Sequence, residues 1–349
     1  MIRTTIKLIM QPYGGLDQIV CGKNTVSANL PACEIVADID NAKNMETSMS
    51  NYKASVVGLG AMGMGIACSS LKAGIDTTGC DVSDAQRDAF AATGGNTAEN
   101  PKQAVADADC AAVVVVNQDQ TESVLFGDNG VVGVLPAGSV VLGCATVPPA
   151  YARDVSARLN DVGLLYLDAP ISGGTAKAAT GDLSVMASGT SEAFAKAKPF
   201  LDAVAERVFH LGDEAGPGST MKMVNQLLAG VHIATAMEAM ALGIKSGLDA
   251  DKIFEVITAS AGNSWMFENR VPHVLDNDYA PKSAVDIFVK DLGIVLETGK
   301  RDGFPLPVSA AAHQQFLAAK AMGLGREDDA AVIKVFAALS GIDLPDGEK

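Results

Sequence analysis

The glycines of Val56-Val57-Gly58-Leu59-Gly60-Ala61-Met62-Gly63-Met64-Gly65 constrain this chain more than any other feature. They follow a short strand-like run, Ser55–Val57, and lead directly into a helical pattern, Ile66–Leu71, that ends at Ala73-Gly74. Strand, tight turn and helix in that order leave little choice of local fold. Gly58 permits the turn, Gly60 lets the backbone approach a bound group, and Gly63 lets the helix pack close to the strand. Leu59, Ala61 and Met62 complete the loop. The free N–H groups and the positive dipole end of the helix would then face the anionic phosphates of a dinucleotide.

Glycine is common here, 35 of 349 residues, so the spacing needs support. A second strand-like run, Thr77-Thr78-Gly79-Cys80, supplies it by ending at Asp81. A carboxylate there accepts hydrogen bonds from both ribose hydroxyls of an adenosine and repels a 2′-phosphate, which favours NAD over NADP. Asp81 also suits capping of the next helix through Val82-Ser83-Asp84, and the two roles are compatible.

From Lys53 to about Leu211 strand and helix patterns alternate. Strand candidates are 55–57, 77–80, 112–116, 140–142, 164–167, 183–187 and 208–209, with helices such as Pro149–Val162 and Ser191–Val204 between them. Uniformly apolar strands such as Val113-Val114-Val115-Val116 are what a parallel sheet covered on both faces requires. After Gly212-Asp213-Glu214-Ala215-Gly216-Pro217-Gly218 the pattern turns helical throughout. It begins with Ser219–Lys245, apolar nearly all round and so buried on several sides. The expected architecture is α/β: a Rossmann-type doubly wound sheet over 53–211, then an all-helical domain over 212–349 with that helix as its strut. Residues 1–52 lack sustained periodicity, and Leu8-Ile9-Met10 is too short for a signal-peptide core. We expect this extension to be disordered or not native, with Met45 or Met49 as alternative starts.

Hydrophobic residues make up 48% of the chain and charged residues 19%, enough for a large core in two domains. No apolar run has the length of a membrane span. A net charge of −15 without a basic cluster argues against nucleic acid and anionic membranes as partners. The six cysteines contain no C-x-x-C pair, and the four histidines, His210, His232, His273 and His313, are scattered. A cytoplasmic protein without structural disulfides or a metal is expected.

Two stretches offer chemistry. On the long helix, Lys222 and Asn225 stand at i and i+3 and share a face. A lysine desolvated at a domain junction is a candidate general acid/base, and a lysine snorkelling to solvent fits the same pattern. Asp168-Ala169-Pro170-Ile171-Ser172-Gly173-Gly174 follows a strand and offers a hydroxyl and open N–H groups to a carboxylate, or is an ordinary turn. Lys290-Asp291 either supplies a cation to the same cleft or forms a surface pair, and Thr146 either touches a nicotinamide or caps a helix.

Gly58–Gly63, Asp168–Gly174, Gly218-Ser219-Thr220-Met221-Lys222-Met223-Val224-Asn225 and Lys290-Asp291-Leu292-Gly293, in this order, resemble the β-hydroxyacid dehydrogenase family over about residues 53–342. The segment Ala261–Arg270, continuing to Asp286–Asp291, is similar to the branch acting on L-threonate. The resemblance implies an NAD-dependent oxidation of a small polyhydroxy acid, with Lys222 as acid/base and Asn225 helping to hold the substrate. It places the substrate carboxylate at Ser172, Gly173 and Gly174, and its distal hydroxyls near Asn263, Ser264 and Trp265. Thr146, Lys290, Val116 and Asn117 would join the cofactor site. It further implies a homodimer or homotetramer, to which exposed apolar helices such as Val308–Met322 would contribute. Related expectations are a short semialdehyde reductase such as one for tartronate semialdehyde, and a 3-hydroxyisobutyrate dehydrogenase. A non-catalytic NAD sensor is the rival from another class. The chain departs from the family pattern at Gln226, Ala145 and Asn117.

Overall fold

The structure, a computed structural model, describes residues 51–347. The expectations for residues 1–50, including the alternative starts, lie outside the described residues. Six parallel strands, β1 (Lys53–Val57), β2 (Asp76–Cys80), β3 (Asn96–Ala98), β4 (Cys110–Val113), β5 (Val140–Gly143) and β6 (Leu165–Asp168), form a sheet in the order β3-β2-β1-β4-β5-β6. The order reverses between β1 and β4, the switch point at which doubly wound sheets bind ligands. Around the sheet lie α1 (Gly63–Lys72), α2 (Asp84–Ala91), α3 (Pro101–Ala104), α4 (Gln118–Phe126) and α5 (Pro149–Asn160). A small sheet follows: β7 (Ile171–Ser172), β8 (Leu183–Ala187) and β9 (Ala205–His210), with α6 (Gly174–Thr180) and α7 (Ser191–Val204) between its strands.

The apolar strands are buried because both faces of the sheet carry a core. Val56, Ala112, Leu142 and Leu167 face one core, with Ile66 and Phe200. Their neighbours Val57, Ala111, Val113, Val141 and Tyr166 face the other, with Val155 and Leu159. Tyr52, just ahead of β1, is buried too, its hydroxyl donating to the Lys196 carbonyl at 2.7 Å.

The remaining elements are helical: α8 (Pro217–Lys245), α9 (Ala250–Thr258), α10 (Trp265–Leu275), α11 (Val285–Asp302), α12 (Pro307–Ala321), a 3₁₀ turn over Asp329–Val332 and α13 (Ile333–Ser340). Ile233, Met237 and Met240 of α8 form the centre of their core, packed with Val271, Phe288, Phe316 and Ala331. By length and hydropathy α8 passes for a membrane span, contrary to the reading of the sequence. The other helices enclose one side of it, around Ile233, Met237 and Met240, while Met221, Val224, Leu228 and Leu242 stay exposed. A buried ion pair, Arg270 Nε to Asp329 Oδ1 at 2.5 Å, ties α10 to the 3₁₀ turn.

Four details differ from expectation. The strand expected over 112–116 ends at Val113, because its partner β1 turns away at Gly58; Val114 N still donates to Val57 O at 2.8 Å, and Val116 is exposed. Strands β3 and β7, of three and two residues, are too short to show periodicity. Helix α10 starts at a Ser264 cap and carries an internal Pro272 that masks it. The apolar surface of α12 is only partly exposed: Ala312, Phe316 and Ala319 are buried in the helical core. Val308 and Met322 at its ends stay exposed, and α8 adds open apolar residues at Met221, Val224 and Leu228.

Candidate active site

At the β1–α1 turn, Gly58 has φ 99°, and a Cβ there would sit 2.3 Å from the Val114 carbonyl oxygen. A Cβ on Gly63 would lie 1.8 Å from the Gly58 oxygen, whereas one on Gly60 meets nothing within 4 Å. Two glycines therefore close the turn and the third leaves its outer side open. No side chain caps the start of α1. Gly60 and Ala61 are exposed and Met62 is half-buried. Leu59 is a core side chain whose contribution to the loop is its backbone.

Asp81 meets the glycine turn and the segment ahead of α2, and no side chain caps α2 itself. Its Oδ2 accepts from Leu59 N at 2.7 Å, which fixes the glycine loop, and its Oδ1 accepts from Ser83 N at 2.9 Å, ahead of α2. Val116 and Asn117 follow β4; Val116 N donates to Gln120 Oε1, and Asn117 Oδ1 caps α4 by accepting from Gln120 N at 2.8 Å. Thr146 follows β5, and its carbonyl accepts from Lys290 Nζ of α11 at 3.2 Å. These groups share the C-terminal edge of the sheet, where an open glycine turn and an uncapped helix start suit a dinucleotide.

The helical half is pinned to that edge by Asp168, at the end of β6. Its Oδ2 accepts from Gly216 N at 2.9 Å and Ser219 N at 2.8 Å, and its Oδ1 from Ser219 Oγ at 2.6 Å. A carboxylate at the first turn of α8 is well placed against the helix dipole. Burial nevertheless raises its pKa above the usual range, the hydrogen bonds offsetting only part of that cost.

One turn along α8, Lys222 is buried and its Nζ donates to the Ile171 carbonyl at 2.8 Å. Burial lowers its pKa to about 8; Asp291 opposes the shift and Lys290 adds to it. Asn225 Nδ2 donates to Gln226 Oε1 at 2.9 Å, and Gln226 Nε2 donates to the buried Asp291 Oδ2 at 2.5 Å. Lys290 Nζ stands 2.6 Å from the other Asp291 oxygen. Lys290-Asp291 is thus no surface pair. A polar chain runs from Asn225 through Gln226 and Asp291 to Lys290 and Thr146. Sequence reasoning overlooked Gln226 and Asp291 as site residues, although the i, i+4 spacing of Lys222 and Gln226 places them on one face.

Beside this centre a cleft of about 370 Å³ is lined by Ser172, Gly173, Lys177, Asn225, His232 and Trp265 among others. Gly173 (φ 135°) and Gly174 (φ 74°) carry the chain from β7 into α6 in backbone conformations that favour glycine. Gly174 is exposed next to the cleft. The structure does not bring Asn263 and Ser264 to it. Ser264 Oγ caps α10 by accepting from Phe267 N at 3.1 Å, and Asn263 Nδ2 donates to Glu268 Oε1 at 2.6 Å and to Thr258 O at 3.3 Å. Local helix capping and turn formation use Ser264 Oγ and Asn263 Nδ2, while Asn263 Oδ1 is buried without a partner.

Residues 53–212 match the family model described as the NAD-binding domain of 6-phosphogluconate dehydrogenase. Residues 216–336 match that described as NAD-binding of NADP-dependent 3-hydroxyisobutyrate dehydrogenase. An L-threonate dehydrogenase from Cupriavidus necator is 53% identical over 290 residues, which is 83% of this chain and 97% of the relative. One from Escherichia coli K12 is 48% identical, with 85% and 97% covered. A crystal structure of 3-hydroxyisobutyrate dehydrogenase from Salmonella typhimurium superposes with a TM-score of 0.79 at 47% identity, covering 82% of this chain and all of the other. The chain belongs to the 3-hydroxyisobutyrate dehydrogenase-related family of β-hydroxyacid dehydrogenases and is an NAD(P)-dependent oxidoreductase acting on a CH–OH group.

Proposed function

We propose that the enzyme oxidises L-threonate to 2-oxo-tetronate with NAD, a step of sugar-acid metabolism. The carrying observation is the buried Lys222, held at Ile171 O beside the Ser172-Gly173 wall of the cleft. A lysine whose pKa lies near 8 is neutral often enough at working pH to accept a proton. Ser172, Gly173 and Gly174 hold the substrate carboxylate, Asn225 orients the reacting hydroxyl, and Trp265 walls the far side. Lys222 Nζ takes the hydroxyl proton as the carbinol carbon gives up its hydride. Bound NAD supplies the hydride acceptor. Gly58–Gly63, Asp81, Val116, Asn117, Thr146 and Lys290 form its site, and Asp81 disfavours the 2′-phosphate of NADP.

L-threonate is the substrate because the relatives of that name match nearly their whole length. NADH formation against L-threonate, D-erythronate, glycerate, 3-hydroxyisobutyrate and 4-hydroxybutyrate tests the reading. Selective turnover of L-threonate is expected. Turnover of glycerate or 3-hydroxyisobutyrate alone would replace it by the semialdehyde-reductase or 3-hydroxyisobutyrate reading. NAD binding with no turnover of any acid would favour a sensor.

We also propose a homodimer or homotetramer, supported by the open apolar residues of α8. Cys80 and Cys144 are buried free thiols whose pKa burial pushes up to about 11 and 12, and Cys68 and Cys110 are free as well. Free thiols suit the reducing cytoplasm.

A further inference from the structure

The cleft contains a polar group that the proposed chemistry leaves unused. His232 lines it from α8, seven residues beyond Asn225 and therefore on the same face two turns on. Between them the α8 wall is apolar, made of Leu228 and Ala229, and Met266 stands opposite with Trp265. Among the described residues the ring nitrogens of His232 have no partner. The side-chain hydrogen bond at this residue runs from Thr235 Oγ1 to the His232 carbonyl at 3.1 Å. The other ionisable group of the cleft, Lys177, is exposed and paired with Glu206 at 3.2 Å.

Seven helical residues span roughly 10 Å. With the reacting C2 hydroxyl at Asn225, the C4 hydroxyl of a four-carbon acid stands up to about 5 Å further on, and two hydrogen bonds of about 3 Å each complete the distance; the terminal hydroxyl of a three-carbon acid lies one carbon nearer. A neutral imidazole offers one donor and one acceptor, as an alcohol hydroxyl does. A half-buried ring at the end of an apolar wall is left without a partner when the substrate lacks the matching hydroxyl, and such a site discriminates against the shorter acid.

We propose that His232 is a specificity-determining residue that hydrogen-bonds the terminal hydroxyl of the substrate, so that the cleft selects four-carbon polyhydroxy acids over three-carbon ones. This rests on the proposed function and assigns the distal recognition first expected of Asn263 and Ser264.

The test compares kcat/KM for L-threonate and glycerate in the wild type, His232→Leu and His232→Gln. The leucine variant should lower the L-threonate-to-glycerate ratio about tenfold, the value of one lost hydrogen bond. The loss should lie in KM for L-threonate, with kcat and KM for NAD nearly unchanged. Glutamine, which keeps a donor and an acceptor, should restore part of the ratio. Trp265 is the single tryptophan of the chain and lines the cleft, so its fluorescence reports L-threonate binding without turnover. Should the leucine variant not fold, His232→Asn, too short to reach the same hydroxyl, is read in the same way. An unchanged ratio, or an equal loss for both acids, overturns the role of His232 and leaves the L-threonate reading standing. A wild type that oxidises glycerate but not L-threonate overturns both.

Discussion

Lys222 is a cation that the fold has removed from water without giving it a direct carboxylate partner; its Nζ meets the Ile171 carbonyl. Burial therefore outweighs the attraction of Asp291, and the pKa falls to about 8 from 10.5. Below pH 8 the folded chain holds a desolvated ammonium, and the cost to stability is relieved as pH rises from about 8 towards 10.5. Oxidation requires the neutral amine, so kcat/KM should rise with pH and level off above an apparent pKa near 8. Lys222→Ala should lower turnover on the order of 10²-fold or more, with the Kd for NAD unchanged. A flat profile from pH 6 to 10, or an alanine variant with full turnover, would remove Lys222 from the chemistry. Lys222 was visible in the sequence as a cation near the start of a mostly apolar helix. Gln226 and Asp291 were not, because their hydrogen bond joins residues 65 positions apart.

Helix α8 reaches its working position through its first turn. Asp168 receives three donors there, the N–H groups of Gly216 and Ser219 and the Ser219 hydroxyl. Glycine at 218 is required by the same contact, since a Cβ would lie 2.5 Å from the Asp168 carbonyl oxygen. Asp168→Asn removes the charge and can turn an amide donor towards those N–H groups. It should cost about 1–3 kcal/mol in urea unfolding. Because Lys222 lies one turn further on, turnover should fall about tenfold or more as well, by its displacement from the reacting atoms. Wild-type stability and turnover in this variant would show that α8 is held by its packing alone. The helix was legible from its composition. Its anchor was not, because Asp168 read only as the start of a glycine-rich turn.

In the whole molecule, Met221 and Val224 stay open along α8 at 44% and 45% exposure, next to Leu228 at the cleft. Apolar residues three and four apart on a helix form a continuous stripe, and such a stripe favours association of identical chains. In keeping with the proposed assembly, sedimentation velocity at micromolar concentration should show a dimer or tetramer. Val224→Glu should shift it towards the monomer while the far-UV circular dichroism is retained. A wild-type monomer would contradict the assembly. The order β3-β2-β1-β4-β5-β6 could not be read from the alternation of strands and helices, which is the same for several doubly wound sheets.

The sequence by itself determined the α/β class, the dinucleotide turn, the long buried helix and the face shared by Lys222 and Asn225. Each of these depends on residues close together in the chain, where glycine sterics and helical periodicity act directly. Only the tertiary structure decided which polar groups meet. It joined Asp168 to the start of α8, Gln226 to Asp291 and Lys290 to Thr146, and it placed His232 rather than Asn263 or Ser264 at the cleft. Those pairings follow from how sheet and helices pack against one another. A polar side chain's role is set by the partner that burial brings to it, and neighbours in sequence carry no record of that partner.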